Sequence, residues 1–140
     1  MSERLGDARI QRFLATKGVV VLATVQPDGS PLATPVWFLP GADALAMISE
    51  ADTQKVRNLK RDPRVSVAAD EGAPSAVRGV VIQGCAEFLP ESEERRALAR
   101  AFLAKYHPTL ERRWGGNAMP ADRVMFRVVP TRVLSWGLPA

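Results

Sequence analysis

Two runs of β-branched and apolar residues on either side of a short turn constrain the fold of this chain most. Residues 19–26 and 32–39 flank Pro27-Asp28-Gly29. Proline presets φ at one turn position and glycine accepts a positive φ at another, so this stretch predicts a β-hairpin. With residues 44–49 as a third strand, the first part of the chain is predicted to form an antiparallel meander.

The rest of the chain continues mostly as strands separated by turns. Further strands are predicted at residues 65–69, 78–88, 124–129 and 131–136, the last two being separated by Pro130. Helices are predicted around residues 10–14, from Asp52 or Thr53 to about Arg61, and over residues 90–106. About seven antiparallel strands with three to four helices predict a mainly β (α+β) fold, a closed or partly open barrel, in one domain over residues 1–140.

Positive charge is concentrated in one short segment. The formal net charge is +4, and residues 53–64 (TQKVRNLKRDPR) carry five cations and one anion, so the remainder of the chain is neutral. The question is therefore which anion this segment binds. One cysteine and one histidine make an intrachain disulfide impossible and a Cys/His zinc site improbable, so no metal site is predicted.

Lys55 is the first candidate for an anion ligand. It falls in the first turn of the predicted helix, where the helix dipole disfavours a cation but free N–H groups favour a bound phosphate. Asn58, one turn further on, can add an amide donor. The alternative is that these residues form an ordinary solvated face of the helix.

The segment Pro35-Val36-Trp37-Phe38 is the second candidate site. Proline inside a strand places that strand at a sheet edge or at a bulge. The open edge and the aromatic pair could hold a flat heterocycle, although core packing is the simpler explanation. The familiar nucleophile, nucleotide and zinc motifs are absent, so the catalytic residues are unknown and a cofactor is expected to supply the reactivity. No role is assigned to Cys85, His107 or Trp114.

Four segments in order resemble the split β-barrel flavin-binding proteins related to pyridoxamine 5′-phosphate oxidase. They are VVVLATVQPDGSPLATPVWF (residues 19–38), Ser49, KVRNLKRDPRVSV (residues 55–67) and RVVPTRVLSWG (residues 127–137). Within that group the sequence is most similar to the flavin/deazaflavin oxidoreductases, which often use coenzyme F420. The basic substrate-binding residues of true pyridoxamine phosphate oxidases do not follow Trp136-Gly137, so vitamin B6 oxidation is not expected.

The resemblance implies roles for individual residues. The strand containing Val36, Trp37 and Phe38 would contact the cofactor ring, largely through backbone atoms. Ser49, Lys55 and Asn58 would lie near the ribityl-phosphate arm, with Lys55 as the main phosphate ligand. Such proteins are usually homodimers with the cofactor at the subunit interface, so Trp136 would approach the ring from the partner chain.

These observations lead to a functional hypothesis. The chain is expected to be a cytoplasmic, F420-dependent oxidoreductase that transfers a hydride to a small conjugated substrate, with Arg57, Lys60 and Arg61 available to the polyanionic tail of the coenzyme. FMN is the alternative cofactor, and a non-catalytic carrier is the alternative role. Heme binding through His107 is a weaker option. Membrane association and binding of single-stranded nucleic acid are not expected, because the chain has no long apolar run and few aromatic residues.

Overall fold

Seven antiparallel strands share one sheet in the computed structural model, which describes residues 3–140. The elements of this part of the chain are α1 (Ala8–Ala15), β1 (Val20–Val25), β2 (Pro31–Val36), β3 (Phe38–Pro40), β4 (Leu45–Glu50), α2 (Gln54–Arg61), β5 (Arg64–Glu71), β6 (Arg78–Phe88), α3 (Glu93–Lys105), α4 (Thr109–Trp114) and β7 (Arg123–Trp136). The mainly β split-barrel prediction, with three to four helices, is confirmed.

The order of the strands shows how the sheet curls. It runs β2-β1-β5-β6-β7-β4-β3, so β2 and β3 lie at opposite ends of the sheet. In the sequence these two strands are separated by Trp37 alone. Because consecutive Cα atoms are about 3.8 Å apart, the two edges must approach each other closely. The sheet therefore forms a barrel whose seam, residues Val36 to Phe38, is bridged by the chain itself.

The predicted meander is wrong at this seam. Residues 32–39 form two strands instead of one, and β4 pairs with β3 and β7. β2 pairs with β1, with Val25 opposite Pro31 and Val21 opposite Pro35. The prolines are tolerated because β2 is an edge strand, as the sequence predicted.

The predicted break at Pro130 is also wrong, because β7 runs through it for 14 residues. The register between β6 and β7 shifts between Gln83 and Gly84, and Gly84 then pairs with Pro130. A β-bulge accommodates the missing N–H and bends the strand. The backbone approaches closely here, since a Cβ on Gly84 would lie 2.1 Å from the Val129 carbonyl oxygen.

The two faces of the sheet support two hydrophobic clusters. Adjacent residues on a strand point to opposite faces. On β7, Phe126 belongs to the larger cluster, whereas Met125 packs with Phe102 of α3 and Leu110 of α4. Helices α3 and α4 therefore cover the outer face of the sheet near β4 and β7.

Helix α4 was not located from the sequence, because its six residues are too few to show a periodic pattern. Its sequence, TLERRW, ends at Trp114 and is followed by Gly115, which has a φ of 72°. The longest helix between residues 3 and 140 is α3, with 13 residues, and none in that range has the length and apolar character needed to cross a bilayer.

Candidate cofactor-binding site

A cleft of about 320 Å³ opens beside the seam of the barrel. Residues from β4, the start of α2, the seam, α3 and α4 line it together with Arg123 at the start of β7. The residues predicted from sequence that line this cleft are Val36, Trp37, Ser49 and Lys55. The structure thus brings the two candidate segments, the basic helix and the PVWF strand, to one cavity.

Lys55 lies at the start of α2 as predicted. Thr53 caps the helix, and its side-chain oxygen accepts a hydrogen bond from the Val56 backbone N–H at 3.3 Å. The Lys55 side chain is half-buried, and it forms no ion pair with any residue in 3–140. Burial lowers its pKa, which the nearby Glu50 carboxylate partly opposes. A cation that is partly removed from water without a partner is suited to an incoming anion.

Hydroxyl groups and a second cation stand beside Lys55. The Ser49 hydroxyl donates to the Glu50 carbonyl at 3.0 Å and lies 3.5 Å from the Thr53 hydroxyl. Arg123 contacts Glu50 at 3.6 Å and Asp122 at 2.6 Å. The acid next to the site is therefore already paired, which leaves the charge of Lys55 available.

The aromatic part of the cleft is built on the seam. Trp37 belongs to no strand, and its ring stacks on that of Tyr106 with centroids 4.3 Å apart and planes within 3°. The guanidinium carbon of Arg113 lies 5.4 Å from the centre of the Trp37 ring. Within residues 3–140 Arg113 has no acidic partner. This part of the cleft therefore combines flat apolar surface with an unpaired cation.

Asn58, Phe38 and Trp136 lie elsewhere in the protomer. Asn58 is fully buried; its amide donates to the Thr24 hydroxyl at 3.0 Å, and its oxygen accepts from Gln54 at 2.8 Å. The Phe38 side chain is fully buried in the core. The Trp136 ring is 45% exposed and packs on Gly79, where a Cβ would lie only 2.3 Å away. Their assignment to the cofactor stays a prediction.

Replacing Asn58 with alanine distinguishes a structural amide from a cofactor ligand. We expect the free energy of unfolding to fall by about 1–2 kcal/mol, since the buried Thr24 hydroxyl loses its partner. Urea denaturation measures this, with the exposed Asn117→Ala as the matched control. Unchanged stability together with a tenfold loss of cofactor affinity would instead make Asn58 a ligand.

Two arginines of the cleft were missed by the sequence analysis, and Trp114, which was left without a role, also lines it. Arg113 and Trp114 lie on α4, and Arg123 begins β7. The cations expected near a coenzyme tail are placed differently. Arg57 pairs with Asp52 at 2.8 Å, Arg61 donates to the Val25 carbonyl, and neither they nor Lys60 line the cleft.

Cys85 and His107 lie outside the cleft. Cys85 is partly buried on β6 and carries a free thiol. His107 is 69% exposed and pairs with Glu111, and this contact lowers the pKa of the Glu111 carboxyl. Neither residue gives the cleft a nucleophile or a base.

The curled seven-stranded sheet with a basic cleft beside its seam is the structure of a split β-barrel protein. Residues 7–137 match the family described as pyridoxamine 5′-phosphate oxidase, and the chain belongs to that family. A 5a,11a-dehydrotetracycline/5a,11a-dehydrooxytetracycline reductase from Streptomyces rimosus is 32% identical over 111 residues, which are 74% of this chain and 78% of that protein. The chain is thus an oxidoreductase-like member of the family.

Solved structures share the fold of this chain. A conserved hypothetical protein from Mycobacterium tuberculosis has a TM-score of 0.80 and 30% identity, covering 94% of this chain and 84% of its own. A heme-binding protein from Mycobacterium smegmatis has a TM-score of 0.79 and 26% identity, over 98% and 55%. An FAD-binding protein from Mesorhizobium loti has a TM-score of 0.67 and 27% identity, over 89% and 86%.

Proposed function

We propose that this chain is an oxidoreductase that binds coenzyme F420 in the cleft beside the seam and transfers a hydride to a small conjugated organic molecule. The observation that carries the proposal is Lys55, a half-buried cation without an acidic partner at the start of α2. The reductase named among its relatives supports the same class of reaction.

The donors of the cleft fit a phosphorylated cofactor. Lys55 offers an ammonium group, Ser49 and Thr53 offer hydroxyls, and the first turn of α2 has N–H groups without partners inside the helix. Charge-assisted hydrogen bonds from such groups to phosphate oxygens are stronger than neutral ones. These residues would hold the ribityl-phosphate arm.

The remaining lining residues would orient the ring and exclude water. The reduced deazaflavin ring supplies the hydride when it is bound. Trp37, which lies outside the strand ladders, offers backbone groups to a flat ring, while Leu110 and Trp114 of α4 provide apolar cover. Arg113 would stabilise the negative charge that develops on a carbonyl oxygen of a conjugated substrate. None of these residues is assigned as the proton donor, and water is our candidate for that role.

The charge of the cleft favours F420 over FMN in this proposal. Three cations and one acid line it, and Arg113 is free of acidic partners within residues 3–140. The phosphate arm common to both cofactors needs Lys55, whereas the polyanionic F420 tail would gain more than FMN from the net positive charge of this lining. The FAD-binding neighbour keeps FMN or another flavin as the second candidate.

Heme is a weaker candidate, although one structural neighbour binds it. His107, the single histidine of the chain, does not line the cleft; it pairs with Glu111 and is largely exposed. A carrier that binds the cofactor without turnover is the remaining alternative, and only kinetics can separate it from an enzyme.

We further propose a homodimer in which Trp136 completes the partner's site. Trp136 is exposed on the protomer, as are Val19 and Val21 of the first strand region. Exposed large apolar side chains of this kind suit a subunit contact. Sedimentation with and without the coenzyme tests the assembly, and a monomer in both states would contradict it.

The experiment for the proposed function is a titration followed by turnover. Purified protein is titrated with F420, FMN, FAD and hemin while fluorescence and absorbance are recorded, and reduced F420 is then supplied with conjugated ketones as acceptors. We expect micromolar binding of F420 and oxidation of its reduced form only when an acceptor is present. Failure of all flavin-type cofactors to bind at micromolar concentration would overturn the proposal.

A further inference from the structure

The last turn of α3 takes the place of a neighbouring strand at the seam. Phe38 begins the edge strand β3, and its N–H donates to the Tyr106 hydroxyl at 2.9 Å. The Phe38 carbonyl accepts from the Lys105 ammonium at 2.7 Å. Open groups of an edge strand are normally left to water or to another chain. Here two side chains from one helix satisfy both of them.

The same two side chains also contact Trp37 and the residues around it. The Tyr106 ring forms the stack with Trp37, and its hydroxyl lies 2.8 Å from the Gly18 carbonyl just before β1. The Lys105 ammonium lies 3.8 Å from the centre of the buried Phe38 ring. Neither Lys105 nor Tyr106 lines the cleft itself. They hold the Trp37 part of the cleft lining in place without lining the cleft themselves.

The part of the cleft lining that belongs to α4 starts from the same point of the chain. The Leu110 backbone N–H donates to the Tyr106 carbonyl at 3.0 Å, and Leu110, Arg113 and Trp114 of α4 line the cleft. The position of the α3 terminus therefore sets the positions of the seam and α4 together. A shift of this turn would change the width of the cleft.

We propose that Lys105 and Tyr106 are positioning residues that set the width of the cofactor cleft by fixing the Trp37 seam and α4 to the end of α3. The inference rests on the proposed function for its effect on cofactor binding, and on the seam geometry alone for its structural part. Lys105 forms no ion pair among residues 3–140, and its ammonium is placed by the 2.7 Å hydrogen bond to the Phe38 carbonyl.

The test uses the full-length protein with Lys105→Met, Tyr106→Phe, the conservative Lys105→Arg, and Lys17→Met as the control. Lys17 also lies over a phenylalanine ring, at 4.8 Å from Phe13, but it does not line the cleft. We expect Lys105→Met and Tyr106→Phe to weaken F420 binding about three- to tenfold, the effect of one net hydrogen bond. Lys105→Arg should recover most of the affinity, and Lys17→Met should match the wild type.

A second measurement needs no coenzyme. Amide hydrogen exchange followed by NMR should show faster exchange at Phe38 in Tyr106→Phe, whereas Lys17→Met should leave it unchanged. Absence of coenzyme binding in the wild type would overturn the proposed function and leave this result to decide on the seam. Unchanged Phe38 exchange in Tyr106→Phe, or unchanged F420 affinity in Lys105→Met, would overturn the positioning role.

Discussion

Replacing Lys55 with alanine should weaken cofactor binding by about 1–3 kcal/mol, which is roughly 5- to 150-fold in Kd. The variant loses a charge-assisted contact to the phosphate at the start of α2. The stability of the unliganded protein should stay the same or rise slightly, since burial of this ammonium is unfavourable and its position opposes the helix dipole. Calorimetric titration measures the first effect and thermal melting the second.

Lys60→Ala is the control for Lys55. Lys60 lies on the same helix, is exposed and does not line the cleft. It changes the net charge of the protein by the same amount, so it separates a direct contact from general attraction between opposite charges. Equal affinities of the two variants would make Lys55 part of an ordinary solvated surface.

Replacing Gly84 with alanine should lower the free energy of unfolding by about 3 kcal/mol or more, at the upper end of the usual cost of overpacking. The added Cβ would lie 2.1 Å from the Val129 carbonyl oxygen and 3.0 Å from the Pro130 Cα, and both are backbone atoms. They cannot turn away as a flexible side chain can, so the bulge must open. For a chain of this size the melting temperature should fall by about 10 °C.

Gly18→Ala is the control for Gly84, because a Cβ there has no atom within 4 Å and the glycine has no positive φ. Its melting temperature should stay close to that of the wild type. If Gly84→Ala has the same melting temperature as Gly18→Ala, the close backbone approach at the bulge does not require glycine. Far-UV circular dichroism of both variants establishes that the strands remain formed before melting.

Lys105 gives the stability of the protein a pH dependence with a defined sign. Burial lowers its folded-state pKa from 10.5 to about 8, so between these values the unfolded chain holds a proton that the folded chain has released. The free energy of unfolding therefore rises with pH in this interval. The free energy of unfolding of the wild type minus that of Lys105→Met, both from urea denaturation, should increase from pH 7 to about pH 10. A difference that does not change with pH would contradict the lowered pKa.

Local patterns in the sequence were enough to place most strands, because alternation and turn residues act over a few positions. They could not locate the seam: PVWFL reads as one apolar run, and its division at Trp37 follows from the curvature of the whole sheet. Pro130 was wrongly predicted to end a strand, because its partner in the bulge, Gly84, lies 46 positions earlier in the sequence. Long-range pairing decided both features.

The candidate site was predictable to a similar extent. Lys55 could be identified because a cation in the first turn of a helix is locally unfavourable, and the proline in β2 drew attention to the seam. Arg113 gave no such signal, and nothing local could decide the role of Trp114, since α4 is a single short helix whose position depends on α3. Asn58 illustrates the opposite case, because the sequence cannot show that its amide is used up by Thr24 and Gln54.

The two ends of the sheet differ in how they resist aggregation. β2 has proline at two of its six positions, so an approaching strand would find fewer N–H donors along that edge. At the other end, the Phe38 groups of β3 are already bonded to α3. Neither edge is a good template for adding a foreign strand. We therefore expect both ends of the sheet to resist the edge-to-edge pairing that leads to aggregation.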